Sequence, residues 1–238
     1  MTLGALPAVV FDGVIDVSHH NGAIDWPAVA SAGIALAFVK ATQGVGFVDP
    51  AFDRNRTAAI KAGVLVVPYH FIDTADPGRQ AAHFLSVSGL RPGDPAMIDW
   101  ESAAPAAALV AFGEAIGGRA ERDPIAYYGF AQLRLADPHL SRWPLMLPEY
   151  PRGDAPGCYD SLVARPPRLP PGRPATWDDG QRPYDFHQYT PGGRIAGTAT
   201  PVDRSVWVGT AAELQNWYAT GALPAAREAP APRNKPVS

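Results

Sequence analysis

Short β-branched and apolar runs alternate with helically patterned segments along the first two-thirds of the chain. Val14–Ser18, Leu36–Thr42, Val64–Phe71, Ala96–Glu101 and Ile125–Phe130 have strand length and suit a pleated, buried surface. Between them, Asp25–Ala32, Pro50–Ala62, Pro77–Val87 and Pro105–Ala120 read as helices. Asp25 is placed to cap the first, with Pro27 in its opening turn, and Gly33 and Gly63 stand where helices end. Such alternation predicts a parallel sheet with right-handed crossovers, either closed as a barrel or open.

After about residue 143 the pattern changes. Pro144–Tyr150 and Tyr184–Tyr189 read as strands, but no good helix separates them; Arg165–Pro183, rich in Pro and Arg, reads as a long loop. Arg194–Ala199 and Ser205–Val208 are expected to pair as a hairpin before a short helix at Ala211–Thr220. From Ala222 the composition is that of a disordered tail. One domain is therefore expected over 13–221, with an extension at 1–12, a tail at 222–238 and no internal repeat.

Composition narrows the function classes. A net charge of -3 and the lack of any Lys/Arg run give no electrostatic case for nucleic acid or an anionic membrane. No stretch approaches the ~20 apolar residues of a membrane span, so no membrane insertion is expected. A single cysteine, Cys158, excludes an internal disulfide and a Cys-based zinc site. Met1–Phe11 is apolar but lacks a basic leader and a cleavage motif, so no signal peptide is read there and localisation stays open. A monomer is expected.

The candidate chemistry lies at strand ends, where parallel α/β folds place their sites. In Ala96-Met97-Ile98-Asp99-Trp100-Glu101, alternate side chains share a face, so Asp99 and Glu101 project together with Cα atoms roughly 6.6 Å apart. Like charges so close resist joint ionisation, and an acid beside a carboxylate is the equipment for cleaving a glycosidic bond. Asp16 and Asp203 flank the first and last strands; if a barrel closes, those strands are neighbours and all four acids share one pocket. Glu149 is a candidate for the rim, and Lys40 either pairs with a pocket acid or is a solvated strand end. Tyr69, Trp100, Tyr127, Tyr128, Tyr150 and Tyr189 collect at the same ends and suit sugar rings, although aromatics are also ordinary core residues. His19-His20 is a poor metal site because neighbours on a strand face opposite ways, so a turn or substrate-rim role is expected there, and His70 reads as a hydrogen-bonded structural histidine.

At these residues the chain resembles the lysozymes of glycoside hydrolase family 25, in order over roughly residues 13–220. The elements are Gly13-Val14-Ile15-Asp16-Val17-Ser18, Ile24-Asp25-Trp26, Phe38-Val39-Lys40-Ala41-Thr42-Gln43-Gly44, Lys61-Ala62-Gly63, Pro68-Tyr69-His70-Phe71, Ile98-Asp99-Trp100-Glu101, Gln188-Tyr189-Thr190 and Val202-Asp203. The resemblance implies an α/β fold, an irregular TIM-like (β/α) barrel with helices missing in its C-terminal part. It implies hydrolysis of the β-1,4 bond between N-acetylmuramic acid and N-acetylglucosamine in peptidoglycan strands, with no metal or organic cofactor. By that carry-over Glu101 is the general acid/base and Asp99 supports the substrate's own 2-acetamido group, with retention of configuration. Asp16 and Asp203 line the floor, and Lys40, Tyr69, Tyr127, Tyr150 and Tyr189 are expected to bind substrate. Two departures from the family pattern, His187 before Gln-Tyr-Thr and Leu145-Met146-Leu147-Pro148 near the sixth strand, are expected to touch the sugar-binding rim. The alternatives are a non-catalytic glycan-binding module on a hydrolase barrel, and a different glycosidase such as a chitinase. Met97 stands where a chitinase would carry a further acid.

Overall fold

A computed structural model describes residues 9–129, 132, 140, 143–163 and 184–224. In chain order its strands are β1 (Phe11–Val17), β2 (Leu36–Gln43), β3 (Phe47–Val48), β4 (Leu65–Phe71), β5 (Met97–Asp99), β6 (Ile125–Tyr127), β7 (Leu145–Pro148), β8 (Phe186–Gly193) and β9 (Val202–Trp207). The sheet order is β1-β9-β8-β7-β6-β5-β4-β2-β3, and β1 also pairs with β2, which closes eight strands into a barrel with β3 appended outside. Pairing is parallel from β1 through β2 and β4 to β8; β9 runs antiparallel to both β8 and β1.

Helices α1 (Trp26–Ser31), α2 (Phe52–Lys61), α3 (Pro77–Ser88) and α4 (Ala106–Ala120) fill the crossovers of the first half. After β7, the helices among the described residues are the single turn α5 (Tyr159–Leu162) and α6 (Ala211–Thr220), which follows the last strand. The expected caps form: Asp25 accepts a hydrogen bond from the Ala28 amide at 3.2 Å. Gly33 and Gly63 take the left-handed backbone just past α1 and α2, with φ of 90° and 83°. None of the helices in the described residues is long and apolar enough to cross a membrane.

Strand alternation divides the apolar residues into two layers. Val14, Phe38, Val67, Met97, Ile125, Met146 and Phe186 fill the barrel interior, closed below by Trp207 of β9 and by Leu214 and Trp217 of α6. Ile15, Val39, Val66, Ile98, Ala126 and Leu147 point outward, toward Trp26, Phe52, Phe84 and Phe112 of the helical layer. His70 belongs to that outer layer: Nε2 donates to Gln80 Oε1 (3.1 Å), Nδ1 accepts from Thr42 Oγ1 (2.7 Å), and the ring stacks on Phe112. Burial pulls its pKa down to about 4. It is a structural histidine, as its surroundings in sequence suggest.

The expected hairpin is displaced. Arg194–Ala199 forms no strand; within it Thr198 makes one bridge to Ile24. Instead β8 continues through register shifts to Gly193 and pairs with β9 from Val202. Pro191-Gly192-Gly193 permits this, because a side chain at Gly192 would collide with the Asp154 carbonyl. The barrel also begins at Phe11, inside the expected extension. The expected loop Arg165–Pro183, residues 1–8 and the tail from 225 onward lie outside the described residues.

Candidate active site

β1, β5 and β9 supply the acids. Asp16 lies directly opposite Asp203 in the antiparallel β1–β9 register, so closing the barrel with a reversed strand brings together residues 187 positions apart. Asp99 ends β5, in register with Phe71 and Tyr127. Trp100 turns outward, its indole N–H donating to the Ala104 carbonyl at 2.8 Å and its ring edge against Tyr128. That anchor extends the alternation past the end of the ladder, returning Glu101 to the face of Asp99. Asp99 is buried and Glu101 is exposed at the mouth.

The four carboxyl groups line one cavity of about 160 Å³ with Tyr69, Tyr127, Tyr150 and Gln188, above Met97. Its electrostatics follow from crowding. Burial, then the charge of Glu101, holds the Asp99 carboxyl well above the usual carboxylate range, and Lys40 opposes that rise. Glu101 is raised by desolvation and lowered by Lys40. Asp16 is pushed well up by burial, by the charge of Asp203 and by a hydrogen bond to Asp203 that its proton makes; Asp203 rises to about 6. One Asp99 oxygen, Oδ1, is buried without a hydrogen-bond partner. An unpaired buried acceptor costs on the order of 1–3 kcal/mol, a cost that a donor entering the cavity would relieve.

Sequence-expected residues divide cleanly. Asp16, Asp99, Glu101, Asp203, Tyr69, Tyr127 and Tyr150 meet in the cleft. Lys40 stands at the margin: its Nζ donates to Gln43 Oε1 (2.9 Å) and lies 5.0 Å from the Phe71 ring centroid, within the field of Asp99 and Glu101. Tyr189 does not line the cleft. It is fully buried outside the barrel, its hydroxyl donating to Asp12 (2.8 Å) and its ring against Tyr159, because alternation gives the inward position to Gln188. Trp100 and Tyr128 face the helical layer for the same reason.

The rim expectation for the two departures is also corrected. His187 is buried on the outer side of β8, where Nε2 donates to the Glu149 carbonyl at 2.9 Å and burial lowers its pKa to about 4. Met146 lies in the barrel interior and Leu147 under the helices. The Glu149 side chain points toward His187 Nε2, 3.8 Å away, rather than onto the rim. His19 and His20 sit in a 3₁₀ turn, not on the strand, so their rings come together at 3.9 Å instead of facing apart; His19 Nδ1 pairs with Asp49 at 2.7 Å. Among the described residues, no group of three His, Cys, Asp or Glu side chains is arranged to hold a metal ion.

Gln188 is the site residue that sequence reasoning missed. Phe186 points inward, and counting two positions on would have found it.

The model of the family described as "Glycosyl hydrolases family 25" matches residues 15–198. Lysozyme M1 of Streptomyces globisporus is 30% identical over 229 residues, covering 84% of this chain and 69% of that protein. The crystal structure of a bacterial lysozyme from Streptomyces coelicolor superposes with a TM-score of 0.70 at 28% identity, covering 87% of this chain and 96% of that one. A muramidase from Trichobolus zukalii, at 21% identity, shares the fold with a TM-score of 0.69.

Proposed function

The chain belongs to glycosyl hydrolases family 25, and from that premise we propose that this lysozyme-type hydrolase cleaves the β-1,4 bond between N-acetylmuramic acid and N-acetylglucosamine in peptidoglycan, with retention of configuration. The observation that carries the reading is the asymmetric acid pair: Glu101 open at the mouth, Asp99 buried beside it with an unpartnered oxygen.

Both carboxyls are raised, and like charges this close favour one proton shared between the two. Before substrate arrives the deeper Asp99 is the more strongly raised of the two. An acetamido N–H donated to Asp99 stabilises its ionised form, which moves the proton to Glu101. Glu101 then protonates the departing glycosidic oxygen as the carbon–oxygen bond breaks. The acetamido carbonyl oxygen attacks the anomeric carbon from the opposite face, giving an oxazolinium whose N–H is held by Asp99. Water opens that ring while Glu101 takes its proton, so both carboxyls return to their starting state and two inversions give net retention. The chemistry needs no metal or organic cofactor. The acids, tyrosines and Gln188 that line the cleft among the described residues come from one chain, and a monomer is the expected state.

Mass spectrometry of digested peptidoglycan, with NMR of the first-formed anomer, tests the proposal. N-acetylmuramic acid at the new reducing end and the β anomer first are expected. A reducing N-acetylglucosamine refutes the bond assignment, and an α anomer refutes the substrate-assisted route.

A further inference from the structure

Gln188 occupies the middle of the cleft floor and is almost fully buried. Its backbone is clamped on both sides, against Pro148 of β7 and Ser205 of β9. The side chain is equally fixed. Oε1 accepts from the hydroxyls of both Tyr127 (2.9 Å) and Tyr150, and Nε2 donates to Asp16 Oδ2 at 2.7 Å. Asp16 accepts from the amide N–H, while the amide oxygen faces both phenols. The amide therefore has one orientation.

A consequence follows for the two tyrosines. Each phenol has one proton, and both protons are spent inside the Tyr127–Tyr150–Gln188 cluster, where the two hydroxyls also bond to each other. Toward the cavity their oxygens then offer lone pairs alone. Carboxyl oxygens of the same wall that carry no proton are acceptors too, so the floor presents mainly acceptors to whatever enters. It selects a ligand face rich in hydroxyl and amide N–H donors, as an amino sugar presents.

We propose that Gln188 is a positioning residue for the hydrolysis proposed above: it turns the Tyr127 and Tyr150 hydroxyl protons away from the sugar and holds Asp16 in line with Asp203. The role rests on that reading of the reaction. Nothing in it requires Gln188 to touch the reacting atoms.

Two substitutions separate positioning from packing. Gln188→Met keeps the side chain's length and removes all three hydrogen bonds. Gln188→Glu keeps an acceptor for both tyrosines at every pH, but it regains a donor toward Asp16 only when the new carboxyl is protonated. Reducing-end release from purified peptidoglycan is followed from pH 4 to pH 8, with thermal transitions recorded alongside. The expected result is a kcat/KM at least tenfold below wild type at all pH values for Gln188→Met. For Gln188→Glu, the ratio to wild type should climb as pH falls and approach one near pH 4. If Gln188→Met does not fold, the pH-dependent rescue of Gln188→Glu still decides. Wild-type kinetics for Gln188→Met, or a ratio for Gln188→Glu that does not change with pH, overturns the positioning role. A wild-type protein that releases no reducing ends overturns the proposed reaction itself, and with it this role.

Discussion

Replacing Asp203 with asparagine should make the protein more stable at alkaline pH and no more stable in acid. In the folded state the Asp203 carboxyl rises from its ordinary 3.8 to about 6 through burial, opposed by its hydrogen bond with Asp16 and reinforced by the charge of Glu101. The unfolded chain gives up its proton near pH 4, while the folded chain keeps it until about pH 6. Stability contributed by the protonated form is thus present below pH 4 and lost as pH rises through 6. Roughly two pKa units correspond to about 3 kcal/mol, which partial contact with solvent reduces to about 2 kcal/mol. Asparagine has no proton to lose and avoids that penalty, and it also relieves the charge that raises Asp16. For a domain of this size about 2 kcal/mol is a Tm increase of roughly 4–8 °C. Differential scanning calorimetry of both proteins at pH 3.5 and pH 8 measures it. A gap of equal size at the two pH values, or a variant less stable at pH 8, would refute the reasoning. Activity should fall in the same variant, since the acid crowding that destabilises the fold is the proposed reaction's own equipment.

Glu101→Gln should reduce turnover of peptidoglycan by about 10²–10⁴-fold, the usual contribution of a general acid, with the Tm within a few degrees because the side chain is exposed; wild-type turnover would end the assignment. Asp99→Asn should lose most activity yet melt higher than wild type at pH 8, since it removes a buried carboxyl whose pKa is raised, and full activity would exclude acetamido assistance. Lys40→Met should move the pH–rate profile upward, because Lys40 holds down the pKa of both Asp99 and Glu101; an unmoved or downward-shifted profile contradicts that. Tyr189→Phe should destabilise by about 1–2 kcal/mol through the lost bond to Asp12, while kcat and KM stay at wild-type values, and a kinetic defect would return Tyr189 to the cleft.

Much of this architecture was legible before any coordinates. The strand–helix alternation of the first half depends on local periodicity, and Asp25 with Gly33 and Gly63 marks helix limits by local backbone chemistry. The pairing of Asp99 with Glu101 is equally local, a matter of two-residue alternation. What could not be read locally was β9. Its partners lie on two different strands, and the bulged continuation of β8 to Gly193 depends on contact with Asp154 far away in sequence. The misplacement of Tyr189 has another cause. An aromatic residue at a strand end satisfies either face, and the neighbouring glutamine gave no hydrophobic signal to decide between them. His19 and His20 do lie in a turn, but strand alternation was the wrong reason for it, because the chain leaves the strand at Ser18, which caps the following turn.

The reversed final strand also governs when the protein becomes active. β1 is made first and β9 among the last elements, yet Asp16 and Asp203 meet only when β9 slides between β1 and β8. Until then the chain holds Asp16, Asp99 and Glu101, three of its four acids, but lacks Asp203, and the barrel stays open between β1 and β8. Completion of the fold and assembly of the four-acid cleft are thereby the same event, and a chain severed before Val202 should have neither.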